Sequence, residues 1–135
     1  MGLDVYASRT WQQDGDDLTR ADRRAFQRAK IDIGQYSQPG SFWGTDCWRL
    51  VSLVCPAAGF DDEIGLPGLF WINPTTVREI ADAFERCDDE AIAVTATSDV
   101  AYRLSPREFT PEHVEGFRRF FRVCVRRKLG LIYWH

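Results

Sequence analysis

Residues 110–134 read TPEHVEGFRRFFRVCVRRKLGLIYW, and this stretch decides the fold. Thr110 followed by Pro111 marks a helix start, because a threonine oxygen accepts a free helical N–H and proline suits the first turn. Apolar residues then recur at helical spacing along one face: Val114, Phe117, Phe121 and Cys124. We expect Gly130 to stop the helix and residues 131–134 to form a strand. The stretch predicts a helix that leads directly into a sheet.

The start of the chain predicts a second strand. Residues 1–8 read MGLDVYAS and alternate apolar with polar side chains, which is the period of a β-strand. We expect this strand and the C-terminal strand to lie in one small sheet, packed against three or four helices. The predicted fold class is therefore α+β.

Two further helices have clear start signals. Thr19 is a capping residue before a charged segment of good helix formers. Asn73 followed by Pro74 starts a helix that should end near Cys87. Its apolar stripe comprises Val77, Ile80, Ala81 and Phe84. Together with Phe117, Phe121 and Cys124, most of this stripe is expected to form the centre of the core.

The remaining segments are less decisive. Residues 45–55 fit either a buried strand or a helix, and we favour a helix that Thr45 and Asp46 can cap and that ends before Pro56. Glycine, serine and proline predict loops at Ile33 to Gly44 and at Ala57 to Leu69.

Residues 88–109 leave two interpretations open. One is a hairpin in which 91–95 pairs with 100–104 about Ser98-Asp99, and the other is a loop with helical turns.

Length and composition indicate one ordinary globular domain spanning residues 1–135. The chain is 44% hydrophobic and 27% charged, and it carries nine Phe, five Trp and four Tyr, which supply a large area for burial. The net charge of −3 gives no overall attraction for nucleic acid, although basic segments occur at 20–30 and 118–128. We interpret those segments as solvated helix faces. No apolar run reaches the length of a membrane span or a signal peptide, so we expect a cytoplasmic protein without membrane association.

The cysteines and histidines do not form a recognisable catalytic or metal-binding pattern. Cys47, Cys55, Cys87 and Cys124 contain no C-x-x-C pair, and we expect reduced thiols in the core. Asp14, Asp16 and Asp17 resemble the start of a calcium loop, but Leu18 occupies a ligand position. We therefore predict no metal and no cofactor.

The two histidines offer no assignable catalytic group. His113 falls in the first turn of the last helix, and His135 is the last residue of the sequence. Catalytic groups need fixed geometry, so we predict no catalytic residue at either position. An alternative stays open, in which a small hydrolase or transferase assembles its Asp, Cys and His residues only in three dimensions.

The segment around residues 39–48 is the best candidate for a partner-binding surface. It combines backbone freedom with aromatic anchors and a carboxylate, a mixture that binding sites favour. The candidate residues are Phe42, Trp43, Asp46 and Trp48. Aromatic residues at such a boundary also commonly cover a core. The function we expect is a protein-binding or accessory domain, of the immunity or regulatory type, with homo-oligomer formation left open.

Four short motifs resemble those of a group of small bacterial proteins that open with M-G-L-D-x-Y and have no established activity. The motifs are MGLDVY at 1–6, Gly40-Ser41 before an aromatic segment, Ile72-Asn73-Pro74 before a helix, and residues 129–134. The resemblance implies a single bacterial cytosolic domain and carries over no catalytic residue.

Overall fold

The computed structural model describes residues 4–11, 17–34, 37–56, 69–98 and 108–134. These residues form five strands and five helices and confirm the α+β class. In chain order the elements are β1 (Asp4–Ser8), α1 (Arg20–Arg28), β2 (Ser37–Gln38), β3 (Ser41–Trp43), α2 (Thr45–Val54), β4 (Leu69–Ile72), α3 (Pro74–Arg86), α4 (Asp89–Ser98), α5 (Pro111–Arg127) and β5 (Gly130–Trp134). Within those ranges, no helix has the length and hydropathy that crossing a membrane requires.

The sheet is antiparallel, with the strand order β2-β3-β1-β5-β4. Strands β1 and β5 pair along their whole length, from Asp4 opposite Trp134 to Ser8 opposite Gly130. The sheet built from the first and last strands is therefore confirmed, and this pair lies at its centre.

The three helix starts with capping signals are confirmed. Thr19, Asn73 and Thr110 each accept a backbone N–H three residues later through a side-chain oxygen, at 3.1, 2.9 and 3.3 Å. Helix α2 is also confirmed, but its N-cap is Gly44 and no side chain caps it, so the capping role expected for Thr45 and Asp46 is wrong.

The end of α5 differs from the expectation. The helix ends at Arg127, and Lys128 takes the left-handed conformation, with φ of 57° and ψ of 44°, which brings the N–H of Leu129 within 2.8 Å of the Cys124 carbonyl oxygen. Gly130, which we expected to stop the helix, is instead the first residue of β5.

Two predicted loops contain strands. Within Ile33 to Gly44, β2 and β3 form a short hairpin around Pro39-Gly40, where the φ of +84° at Gly40 suits the third position of a turn with proline before it. Leu69 begins β4, which pairs with β5. Of the second predicted loop, residues 57–68 lie outside the described residues.

The hairpin interpretation of residues 91–95 is wrong, because they lie in helix α4. The Asp88 carboxylate accepts the N–H of Ala91 at 3.1 Å and caps this helix, which is rich in alanine. The proposed partner strand, 100–104, lies outside the described residues.

The core forms where the sequence predicted it. All six residues assigned to its centre are buried: Val77, Ile80, Phe84, Phe117, Phe121 and Cys124. The α5 rings contact rings from other elements, with centroid distances of 5.3 Å for Phe121 to Phe84 and 5.1 Å for Phe120 to Phe26. None of the four cysteines forms a disulfide, and Cys87 alone among them is partly exposed.

A buried carboxylate joins α1 to α5 and to Arg9, the residue that follows β1. Asp22 has no exposed surface and accepts hydrogen bonds from Arg9 at 2.7 Å, from the Thr19 N–H at 2.9 Å and from Arg127 at 2.8 Å. Burial acts to raise the pKa of Asp22, but the three donors outweigh it and hold the pKa well below its ordinary value. The charged form of Asp22 therefore stabilises the fold.

Replacing Phe121 with alanine should lower the free energy of unfolding by about 3 to 5 kcal/mol, because a large cavity opens at the centre of the core. A urea titration measures the loss. A loss below about 1 kcal/mol would contradict the assigned core face of α5.

Asp22→Asn should cost about 2 to 4 kcal/mol at neutral pH, because two arginines lose their carboxylate. Asp22 titrates near pH 4 in the unfolded chain and at lower pH in the folded one, so its contribution is complete above about pH 4 and is lost below it. Urea titrations of both proteins should show a stability difference that shrinks as the pH falls below about 4. A difference that stays constant down to about pH 2 would contradict this role.

Candidate functional site

The two faces of the sheet have different environments. In β1, Val5 and Ala7 belong to the core that the helices cover, so Tyr6 between them points to the opposite face. In β3, Phe42 belongs to the core and Trp43 follows it, again on the opposite face. We call this second face the outer face.

Strand register places four residues of the outer face near one another. Tyr6 pairs with Ile132, and Ile132 pairs with Trp71 on the next strand. Trp43 lies in the neighbouring row, opposite Asp4. Since adjacent strands are about 4.8 Å apart and the two rows are about 7 Å apart along the strands, the backbones of Trp43 and Trp71 are separated by about 16 Å.

A fifth residue joins this face from the segment after β1. The ring of Trp11 packs edge-on against the ring of Trp71, with centroids 6.4 Å apart and an interplanar angle of 88°. The Trp71 ring in turn lies over Gly130, where an added Cβ would come within 2.4 Å of the ring and 2.5 Å of the Ile72 carbonyl oxygen. Gly130 is therefore required by this close approach and not by the end of the helix.

The rings on the outer face remain accessible to solvent. Trp11 is 47% exposed and Trp43 is 41% exposed, while Tyr6 and Trp71 are half-buried and Ile132 is fully buried. We call Tyr6, Trp11, Trp43 and Trp71 the aromatic face. Burial, and then the charge of Asp4, raise the pKa of the Tyr6 phenol, so its hydroxyl remains a hydrogen-bond donor at neutral pH.

The structure separates the four predicted site residues. Phe42 and Trp48 are buried, with ring centroids 6.3 Å apart, so the expectation that they contact a partner is corrected: they belong to the core. Trp43 lies on the aromatic face, and Asp46 is half-buried in the first turn of α2. A role for Trp43 and Asp46 in partner binding stays a prediction.

Three members of the aromatic face were not singled out from the sequence. The position of Tyr6 could have been predicted, because Tyr6 alternates with Val5 in β1 and therefore lies on the face opposite the core. Trp11 and Trp71 carried none, since their contact depends on the register of β4 and on the path of the chain after β1.

The most strongly perturbed charged groups elsewhere are structural. Arg118 is almost fully buried and donates to the Phe84 carbonyl oxygen at 2.8 Å, to Asp89 at 2.9 Å and to Glu115. Its hydrogen bonds hold the pKa of Asp89 below the ordinary value. This cluster ties α3, α4 and α5 together, and Asp89 thus has a packing role.

Cys87, Cys124 and His113 have structural environments. Burial raises the pKa of the Cys87 and Cys124 thiols, the opposite of what a nucleophilic cysteine needs. The Nδ1 of His113 accepts the Thr110 N–H at 3.2 Å and completes the cap of α5. In the part of the chain that the structure describes, no three His, Cys, Asp or Glu residues are grouped as metal ligands. His135 lies outside that part.

Comparison of the chain with protein-family models, with curated proteins and with solved structures finds no match. The resemblance of the opening MGLDVY to small bacterial proteins stays a prediction.

Gly130→Ala should lower the free energy of unfolding by about 1 to 3 kcal/mol, because the methyl group would collide with the Trp71 ring and the Ile72 carbonyl. The change should also alter the near-ultraviolet circular dichroism of the tryptophans.

A double-mutant cycle supplies the control for this prediction. In a Trp71→Leu background, Gly130→Ala should cost measurably less, because one of the two collisions is gone. An equal cost in both backgrounds would show that the ring does not lie over Gly130.

Proposed function

We propose that this protein is a protein-binding domain of the accessory type, immunity-like or regulatory, and that its partner binds the aromatic face. The observation that supports the proposal is the collection of Tyr6, Trp11, Trp43 and Trp71 on the sheet face opposite the helices, with two indoles more than 40% exposed.

Exposed indoles on a rigid support are effective binding anchors. Tryptophan and tyrosine bury a large apolar area and lose few rotatable bonds when they are immobilised. Here Trp43 and Trp71 stand on strands tied into the sheet, and Trp71 is further held by Trp11 and by the backbone at Gly130. A partner would therefore meet an ordered surface at a low entropic cost.

The face also suggests what a partner should present. Asp4 is exposed and lies directly opposite Trp43 in the sheet, while the protonated Tyr6 hydroxyl is available to donate a hydrogen bond to a partner. The complementary surface is an apolar patch with a Lys or Arg side chain at its rim, where the cation pairs with Asp4 and contacts the indole face.

Alanine substitution of Trp43 and Trp11 tests the proposal. The tagged protein is used to purify partners from a lysate of the source cells, and a captured protein is then titrated against purified variants. Each substitution should weaken binding about tenfold or more, because a central aromatic anchor commonly contributes 2 kcal/mol. Asp46→Ala tests the remaining predicted residue in the same way.

Val94→Ala is the matched control, since Val94 is an exposed apolar residue on α4, away from the sheet. Its affinity should equal that of the unmodified chain. Unchanged partner recovery by both tryptophan variants, with thermal unfolding showing an intact fold, would rule out this face as the binding surface.

A further inference from the structure

Helices α1 and α5 lie side by side and run in opposite directions. Near one end of the pair, Arg127 donates to Asp22 at 2.8 Å, and near the other end Arg119 donates to the Ala29 carbonyl oxygen at 3.3 Å. Between them, the rings of Phe26 and Phe120 are 5.1 Å apart. The charged faces of the two helices, which the sequence predicts as separate solvated surfaces, therefore border one another.

A groove of about 790 Å³ runs between these two helices. One rim carries Arg20, Arg24 and Arg28, which recur every four residues along α1, or about every 6 Å. The other rim is formed by arginines of α5: Arg119, Arg122, Arg126 and Arg127. Positive charge is thus concentrated along both sides of one channel in a chain whose net charge is −3.

Some of these arginines are already engaged by carboxylates. Arg119 pairs with Glu115 at 3.3 Å, Arg122 pairs with Glu85, and Arg127 pairs with Asp22. Among the described ranges, no ion pair involves the other four groove arginines: Arg20, Arg24, Arg28 and Arg126. Both rims therefore offer cations to an anionic ligand.

The floor of the groove is small and apolar. It consists of Ala21 and Ala25 of α1, Ala29 at the C-cap of α1, and Val123 of α5. Alanines at four-residue spacing form a shallow ridge that lets another helix approach closely, at the 8 to 10 Å typical of packed helices. The lining combines cationic rims with an apolar floor, which complements an amphipathic anion and not a fully hydrated one.

We propose that this groove binds an acidic amphipathic helix of a partner protein. A helix presents an apolar stripe with carboxylates on both flanks, so it can contact the floor and both arginine rims at once. Glutamates four residues apart also match the spacing of Arg20, Arg24 and Arg28. The site is separate from the aromatic face and does not depend on the function proposed for that face.

Nucleic acid fits the same groove less well. Surfaces that bind single strands combine cations with aromatic side chains on which bases stack, and the groove is lined by arginine, alanine and valine. An extended peptide presents one row of side chains to each face, so it engages the two rims less completely than a helix does.

The test uses a synthetic helical peptide of about 15 residues, with an alanine and leucine stripe flanked by glutamates. A permuted peptide of the same composition, which lacks the stripe, is the ligand control. By fluorescence anisotropy at low salt, the helical peptide should bind at least about tenfold more tightly than the permuted one. Equal affinities would overturn the proposal, because they would show that charge alone is recognised.

Matched variants locate the site. Arg24→Gln with Arg28→Gln should weaken peptide binding about tenfold, whereas Arg78→Gln with Arg86→Gln, the same charge change on exposed positions of α3, should not. Thermal unfolding checks that each variant is folded. Equal losses in the two double variants would overturn the assignment to the groove.

Ala21→Leu distinguishes a docked helix from a polyanion. The added side chain raises the groove floor and leaves every charge in place, so peptide affinity should fall about tenfold while binding of a single-stranded RNA should not change. A peptide affinity that Ala21→Leu leaves unchanged would overturn the docking geometry. RNA that binds more tightly than the peptide and loses affinity with the arginine changes at 24 and 28 would assign the groove to nucleic acid.

Discussion

The structure depends on the packing of three phenylalanines of α5, namely Phe117, Phe120 and Phe121. Each is fully or almost fully buried. Together they contact one phenylalanine from each of three other elements, which are Phe26 of α1, Phe42 of β3 and Phe84 of α3. Helix α5 thereby packs against the sheet through Phe42 and against helices α1 and α3 through Phe26 and Phe84. Large rings bury much area per residue, so this arrangement stabilises a small sheet whose strands have at most five residues.

Because the core cluster of the described residues lies against one face of the sheet, strand alternation places the remaining strand aromatics on the other face. Phe42 and Trp43 are neighbours in sequence, yet the first is buried against α5 and the second is 41% exposed on the other side. A strand reverses the direction of its side chains at every residue, so adjacent aromatics cannot share a role. The same alternation removes Tyr6 from the core. The aromatic face therefore follows from the way α5 selects one face of the sheet.

The sequence predicted what depends on local interactions and missed what depends on distant pairing. Helices α1, α3 and α5 were recognisable because Thr19, Asn73 and Thr110 mark their starts and apolar stripes mark their faces. Strand β4 and the β2–β3 hairpin are two to four residues long, too short to show a period, and they exist only because β5 and β1 pair with them. Helix α4 carries a continuous apolar run at 91–94, which is also typical of a buried strand. A distant contact, the pairing of Asp89 with Arg118, holds it against α5.

The candidate binding surfaces likewise combine residues that the local sequence identifies with neighbours that only the tertiary structure supplies. Trp43 was identifiable as an aromatic residue beside flexible backbone, but its neighbours on the aromatic face come from positions 6, 11 and 71. The groove arginines were identifiable as two charged helix faces, but their convergence required the antiparallel packing of α1 on α5.

The aromatic face and the groove lie on opposite sides of the α5 core, and they would bind their partners through different interactions. Apolar anchors act at contact and mainly slow dissociation, whereas clustered charge acts at a distance and mainly speeds association, an effect that salt weakens. Occupation of one surface leaves the other sterically open, since the sheet and α5 stand between them. A partner that combines an acidic helix with an apolar, cation-rimmed patch could bind both surfaces at once. Its affinity would then exceed that of either part alone, provided that the linker between the two parts is long enough to reach from the groove to the aromatic face.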